Sequence, residues 1–186
     1  MRAAANGGAG IVISPRGVER GPSADGDVER VAAVTAEAVE SALALGLRPP
    51  FFFDALVYPA LKDPNGVRRS LALLRACRGG PNMIPLAAVG NISFGAPRSL
   101  AGALRAVYAA AATGAGAGAL ILGVTDDACV RAVRLALGEV APASVDEAWL
   151  CEAAACASRD DVPPPAPEAY RDAAHLIFHA GLARAS

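Results

Sequence analysis

Aromatic side chains make up only 5% of this chain, and lysine is almost missing: Lys62 stands alone among 17 basic residues. A core short of aromatics must be built from alanine, valine and leucine, and the 54% hydrophobic share supplies them. The scarcity of lysine reads as base-composition bias in the gene, not as chemistry. No charge of one sign dominates. The formal net charge is −1, which gives no electrostatic footing for nucleic acid or for an anionic membrane surface. No C-x-x-C pair occurs. Cys77, Cys129, Cys151 and Cys156 match no metal-ligand spacing, so the expectation is buried, reduced thiols, no metal and a cytoplasmic setting. No apolar run is long enough to span a bilayer, and "MRAAANGGAGIVIS" is too short and too broken for a signal peptide. No internal repeat is recognisable.

What is present is an alternation of short apolar runs with longer amphipathic ones. The 186 residues suit one domain with a substantial core. Strands are predicted at 9–14, 49–59, 84–91 and 118–124, ending near Ser14, Asp54, Asn91 and Gly123. Helical spacing follows each of them, at 28–46, 65–77, 98–114 and 126–138, with Gly114 predicted to close the third. Four strand–helix units in series predict parallel strands joined by right-handed crossovers. The strands are apolar throughout, which predicts burial on both faces. The strand-to-helix loops are long and rich in Gly, Pro and Asp, as expected where the carboxyl ends of the strands carry the function. From 139 onward the pattern changes. Helices are predicted at 145–159 and 168–183, separated by the proline-rich "DDVPPPAP". The division is therefore 1–138, an α/β unit, and 139–186, a helical extension.

Several residues invite a chemical reading beside a plain one. Asp54 closes the second strand, where it either binds a ligand, caps the next loop or pairs with an arginine. Asn91 sits in "AAVGNISFG", where an amide serves a ligand or merely satisfies a turn. Ser93 binds substrate or bonds its own loop. Asp126 and Asp127 read as caps of the fourth helix. Lys62 and Asp63 read as a solvated loop. His175 and His179, at i and i+4, can share a zinc ion, but without a third ligand they read as a polar helix edge. "GAGAGA" (114–119) precedes a strand, so it is a tight turn and not a phosphate loop.

The ordered strand ends "FFFDALVYP", "AAVGNISFG" and "GALILGVTDD" resemble the pterin-binding family of (β/α)8 barrels, which includes dihydropteroate synthases. The resemblance is nearer to the methyltetrahydrofolate–corrinoid methyltransferases, through "DALVYP" and "GNIS", and covers roughly residues 6 to 138. It implies a partial TIM-type barrel of about four βα units. It implies a transferase that passes the N5-methyl group of methyltetrahydrofolate to a cobalamin-type corrinoid on a partner protein. Asp54 is then the pterin anchor, Asn91 the catalytic amide beside the methylated nitrogen, and Ser93 a further substrate contact. Ala55, Gly90 and Gly123 depart from the family's usual proline, serine and aspartate. A whole barrel needs about 250 residues, so the resemblance implies only the C-terminal half of one. Either a second copy or another chain completes it, or it is a non-catalytic subunit. Half a barrel predicts a chain that is not a stable monomer, unless the C-terminal helices fold over the open side. A third reading, a phosphate- or cofactor-binding enzyme, would need a basic residue at a strand end, and none is evident.

Overall fold

The computed structural model describes residues 10–14 and 24–180. Four parallel strands, β1 (Val12–Ile13), β2 (Phe51–Asp54), β3 (Met83–Ala88) and β4 (Ala119–Ile121), lie side by side in chain order. Helices α1 (Ala24–Ala44), α2 (Pro64–Cys77), α3 (Arg98–Ala115) and α4 (Asp127–Ala136) follow them in turn. Sequential order with a constant crossover hand puts α1, α2 and α3 on one face of the sheet, and α4 packs on α3. The α/β class and the four βα units are as expected.

Side chains alternate across a strand, and β2 shows which face is which. Phe51 and Phe53 are fully buried, while Phe52 and Asp54 are half-buried. Phe51 packs with Val39, Ala42 and Leu47, and Phe53 joins the main core. Burying each ring stabilises the fold by roughly 1.5–3 kcal/mol. The register extends the opposite face to Val12, Ile84, Leu86, Ala88, Ala119 and Ile121. Val12 and Ile121, on the two outermost strands, are 58% and 57% exposed. The expectation of burial on both faces therefore fails. The strands are apolar but for Asp54, yet among the described residues only the helix side is covered.

The strand ends also climb. Measured against β3, β1 stops level with Pro85, β2 level with Leu86, and β3 and β4 at Ala88. Two predicted ends move accordingly. β3 stops at Ala88, because Val89–Ser93 coil into a 3₁₀ turn whose Val89 and Ile92 point inward. β4 stops at Ile121, before Gly123. β1 ends at Ile13, one residue before Ser14, and the Ser23 end of the following loop lies outside the described residues.

Helix α3 is the centre of the molecule. Leu104, Ala106–Ala112 and Ala115 are buried, because the sheet lies on one side and α5 (Val145–Arg159) on the other. The two helices approach so closely that a Cβ on Gly114 would stand 2.0 Å from the Ala154 carbonyl oxygen. Gly114 was expected to stop α3. The stop is Gly116, at φ 106°, and "GAGAGA" is the tight helix-to-strand turn, with Gly118 N–H donating to Pro85 O.

The predicted helix 168–183 is broken over its described part. A 3₁₀ turn (Glu168–Tyr170) leads into α6 (Arg171–Ala174) and then a π turn (His175–His179). Trp149 fastens this segment. Its Nε1–H donates to Pro164 O at 3.0 Å, and Tyr170 and Phe178 pack on its ring. Arg75 of α2 holds the end of α5 through Ala157 O and an ion pair with Asp160. The tail therefore packs on α2, α3 and α4, the helix side of the sheet. Its described part does not close the open face, as the alternative expectation had it.

Candidate functional site

The loops after the strands meet at one rim, because the strands are parallel. Asp54 ends β2 on the uncovered face. Its Oδ1 accepts from Leu56 N–H at 3.0 Å, which turns the chain into a left-handed residue, Leu56 at φ 53°. Its second oxygen accepts nothing from the described residues, and no described arginine pairs with it. Of the readings the sequence allowed, the carboxylate makes the loop cap, and its other oxygen has no partner among the described residues.

Asn91 lies on the 3₁₀ turn, three residues beyond the end of β3, and is exposed. Its carbonyl accepts from Phe94 N–H, while its amide has no partner among the described residues. Ser93 is engaged. Its hydroxyl lies 3.3 Å from Gly90 O, to which it donates, and accepts from Arg105 at 3.3 Å. The β2–α2 loop is tied to this turn by Ala60 N–H donating to Ile92 O at 3.0 Å. Lys62 stands 5.3 Å from the centre of the Phe94 ring, a cation–π contact on a ring that is 66% exposed. No hydrogen bond joins Asp54 to Asn91 or Ser93 among the described residues.

Arg105 is the rim residue that sequence reasoning missed. It is on α3, not at a strand end, yet it spans two strand-end loops. One nitrogen reaches Ser93 after β3, and Nε donates to Asp126 Oδ2 at 2.5 Å after β4. Asp126 also caps α4 through Cys129 N–H, as its sequence position predicted. Burial pulls the Asp126 carboxyl upward, but the bonds from Arg105 and Cys129 outweigh it, and the net shift is downward. The hydrogen bond to Asp126 raises Arg105 in turn. Burial, then Asp126, push the Cys129 thiol up to about 12, which leaves it protonated and unreactive. Asp63 caps α2 by accepting from Gly66 N–H at 2.8 Å. A signal for Arg105 was available: past its first turn, α3 carries one charged residue in an otherwise apolar helix.

His175 and His179 stack, with ring centres 6.2 Å apart, beside an open groove lined by Pro163, Pro165 and Arg171. Among the described residues no three His, Cys, Asp or Glu side chains gather as a metal site. All four cysteines are free. No described helix is long and apolar enough to cross a membrane. No protein-family model, curated protein or solved structure matches this chain.

Proposed function

We propose that this chain is half of a pterin-binding-type (β/α) barrel that serves methyl transfer from methyltetrahydrofolate to a corrinoid on a partner protein. One observation carries the reading. Asp54 stands at the carboxyl end of β2 on the uncovered face, with one oxygen engaged by Leu56 N–H and the other open among the described residues. A carboxylate with a spare oxygen fits the paired N–H donors of a pterin edge, since it accepts charge-assisted bonds and donates none. The carboxyl ends of parallel strands are where such folds bind ligands.

Each residue then has a task. Asp54 anchors the pterin in ground and transition states alike. The Asn91 amide donates to the nitrogen that gives up the methyl group, and this bond strengthens as charge develops there. Ser93, held between Gly90 O and Arg105, shapes the rim and contributes a hydroxyl. The reduced corrinoid supplies the nucleophile, so the chain itself needs none. A second reading is a non-catalytic pterin-binding-like subunit. It is favoured by the loop-capping work that already occupies Asp54 and Ser93.

Calorimetric titration with methyltetrahydrofolate tests the first reading. Asp54→Asn keeps the acceptor for Leu56 N–H and removes the charge, so it separates ligand binding from loop structure. We expect it to weaken binding by roughly 10- to 100-fold, the worth of a charge-assisted bond. Asn91→Ala is expected to leave affinity within about threefold and to slow methylation of cob(I)alamin. Failure of the unaltered chain to bind, or equal binding by Asp54→Asn, defeats the assignment. Binding without methyl transfer favours the second reading.

A further inference from the structure

We infer that the uncovered face is closed by a second copy of this chain, with β4 of each protomer pairing in parallel with β1 of the other, to give an eight-stranded barrel. The inference rests on the barrel reading of the sheet and not on the identity of the ligand.

The first ground is the climb of the strand ends. From β1 to β4 they rise from the level of Pro85 to that of Ala88, in steps of one, two and no residues, and the mean of one per strand matches the stagger of an eight-stranded barrel of shear 8. A flat open sheet has no need of it.

The second ground is where that stagger leads. Carried over half a barrel, it advances the register by about four residues. Val12 is level with Ile84, so Val12 of a second copy arrives level with Ala88, the partner of Ile121. The offset is even, so both side chains remain on the same face. Val12 and Ile121 are the two most exposed members of that face among the described residues, at 58% and 57%. The most exposed aliphatic residue on each edge is thus the one that closure would bring opposite the other.

The third ground is the edges themselves. Neither β1 (Val-Ile) nor β4 (Ala-Leu-Ile) contains a charge or a proline, two of the devices that keep edge strands apart, so shortness is their one guard of this kind. A two-fold axis along the barrel keeps all eight strands parallel and satisfies both edges of both copies at once. The tail stays clear, since it packs on α2, α3 and α4. The Asp54 rims of the two copies then face one shared mouth, so each site is completed by the other protomer.

The test uses the full chain and two variants, Val12→Arg and Ile121→Glu. Sedimentation or light scattering should give twice the 18.7 kDa of one chain. Each variant alone should be monomeric, with the far-ultraviolet circular dichroism of the unaltered chain. Mixed one to one, they should form a heterodimer at least tenfold tighter than either variant with itself. The mixed barrel has one Arg–Glu junction and one unaltered Val–Ile junction. A monomeric unaltered chain at about 100 μM overturns the inference. So do variants that dimerise normally, since contact is then elsewhere, and folded variants that fail to complement. Pterin binding by a monomer would leave the proposed function standing and remove this inference alone.

Discussion

Asp126 does two jobs, capping α4 and anchoring Arg105 across the rim, and its pH behaviour separates them. In the unfolded chain an aspartate takes its proton near pH 3.9. In the fold it takes it at lower pH, because the bonds from Arg105 and Cys129 outweigh the cost of burial. The contribution is therefore intact above about pH 4 and is lost as pH falls through the folded value. Asp126→Asn retains a good cap and removes the charge. It should cost about 1 kcal/mol at pH 7, a modest figure because Arg105 is nearly one-third exposed. In chemical denaturation the difference between the unaltered chain and Asp126→Asn should shrink progressively as pH falls below about 4. A difference that stays constant with pH would mean that the charge does not matter. Of the local caps, Asp126 was legible in the sequence, at the start of the helix that its position announces, whereas Asp63, read as part of a solvated loop, caps α2 instead. The lone charge of Arg105 past the first turn of α3 was visible, but its role was not, because its partners, Ser93 and Asp126, lie 12 and 21 residues away and only the fold joins them.

At the scale of elements, helix period was read well and strand ends were not. α5 lies where the spacing put it, at Val145–Arg159, with Ser144 capping Glu147 N–H. β3 was read too long because Val89 and Ile92 are buried in a turn, and an apolar run cannot announce that its backbone has begun to coil. Gly114 was misread for a related reason. A glycine near a helix end suggests a stop, but its purpose here is the close approach of α5, a tertiary fact. The consequence is testable. Gly114→Ala would put a methyl carbon 2.0 Å from the Ala154 carbonyl, a backbone atom that cannot swing aside. Despite alanine's higher helix propensity, the substitution should destabilise by about 1–3 kcal/mol as α3 and α5 separate. Gly102 has nothing within 4 Å of its Cβ position, so Gly102→Ala in the same helix should be neutral or stabilising. Equal effects at the two positions, measured by urea unfolding, would refute the close-packing account.

For the whole molecule, the order of layers links stability to assembly. α3 is sealed between sheet and α5, and Trp149 and Arg75 fasten the tail to the helix layer, so the chain has one well-filled interior. The second apolar surface, from Val12 through Phe52, Ile84 and Leu86 to Ile121, has no such cover. The apolar strands announced two buried faces, and the described residues supply material for one. If a second copy supplies the other, folding and association share free energy, and the melting temperature depends on protein concentration. A tenfold rise in concentration adds about 1.4 kcal/mol per dimer, half of that per chain. For a chain of this length it raises the melting temperature by roughly 1–3 °C. Val12→Arg and Ile121→Glu, being monomeric, should melt at temperatures independent of concentration and should bind a hydrophobic dye on the uncovered face. The unaltered chain at high concentration should bind little dye and should gain binding on dilution. A melting temperature that ignores concentration, together with weak dye binding at every dilution, would mean that the apolar face is covered within the single chain.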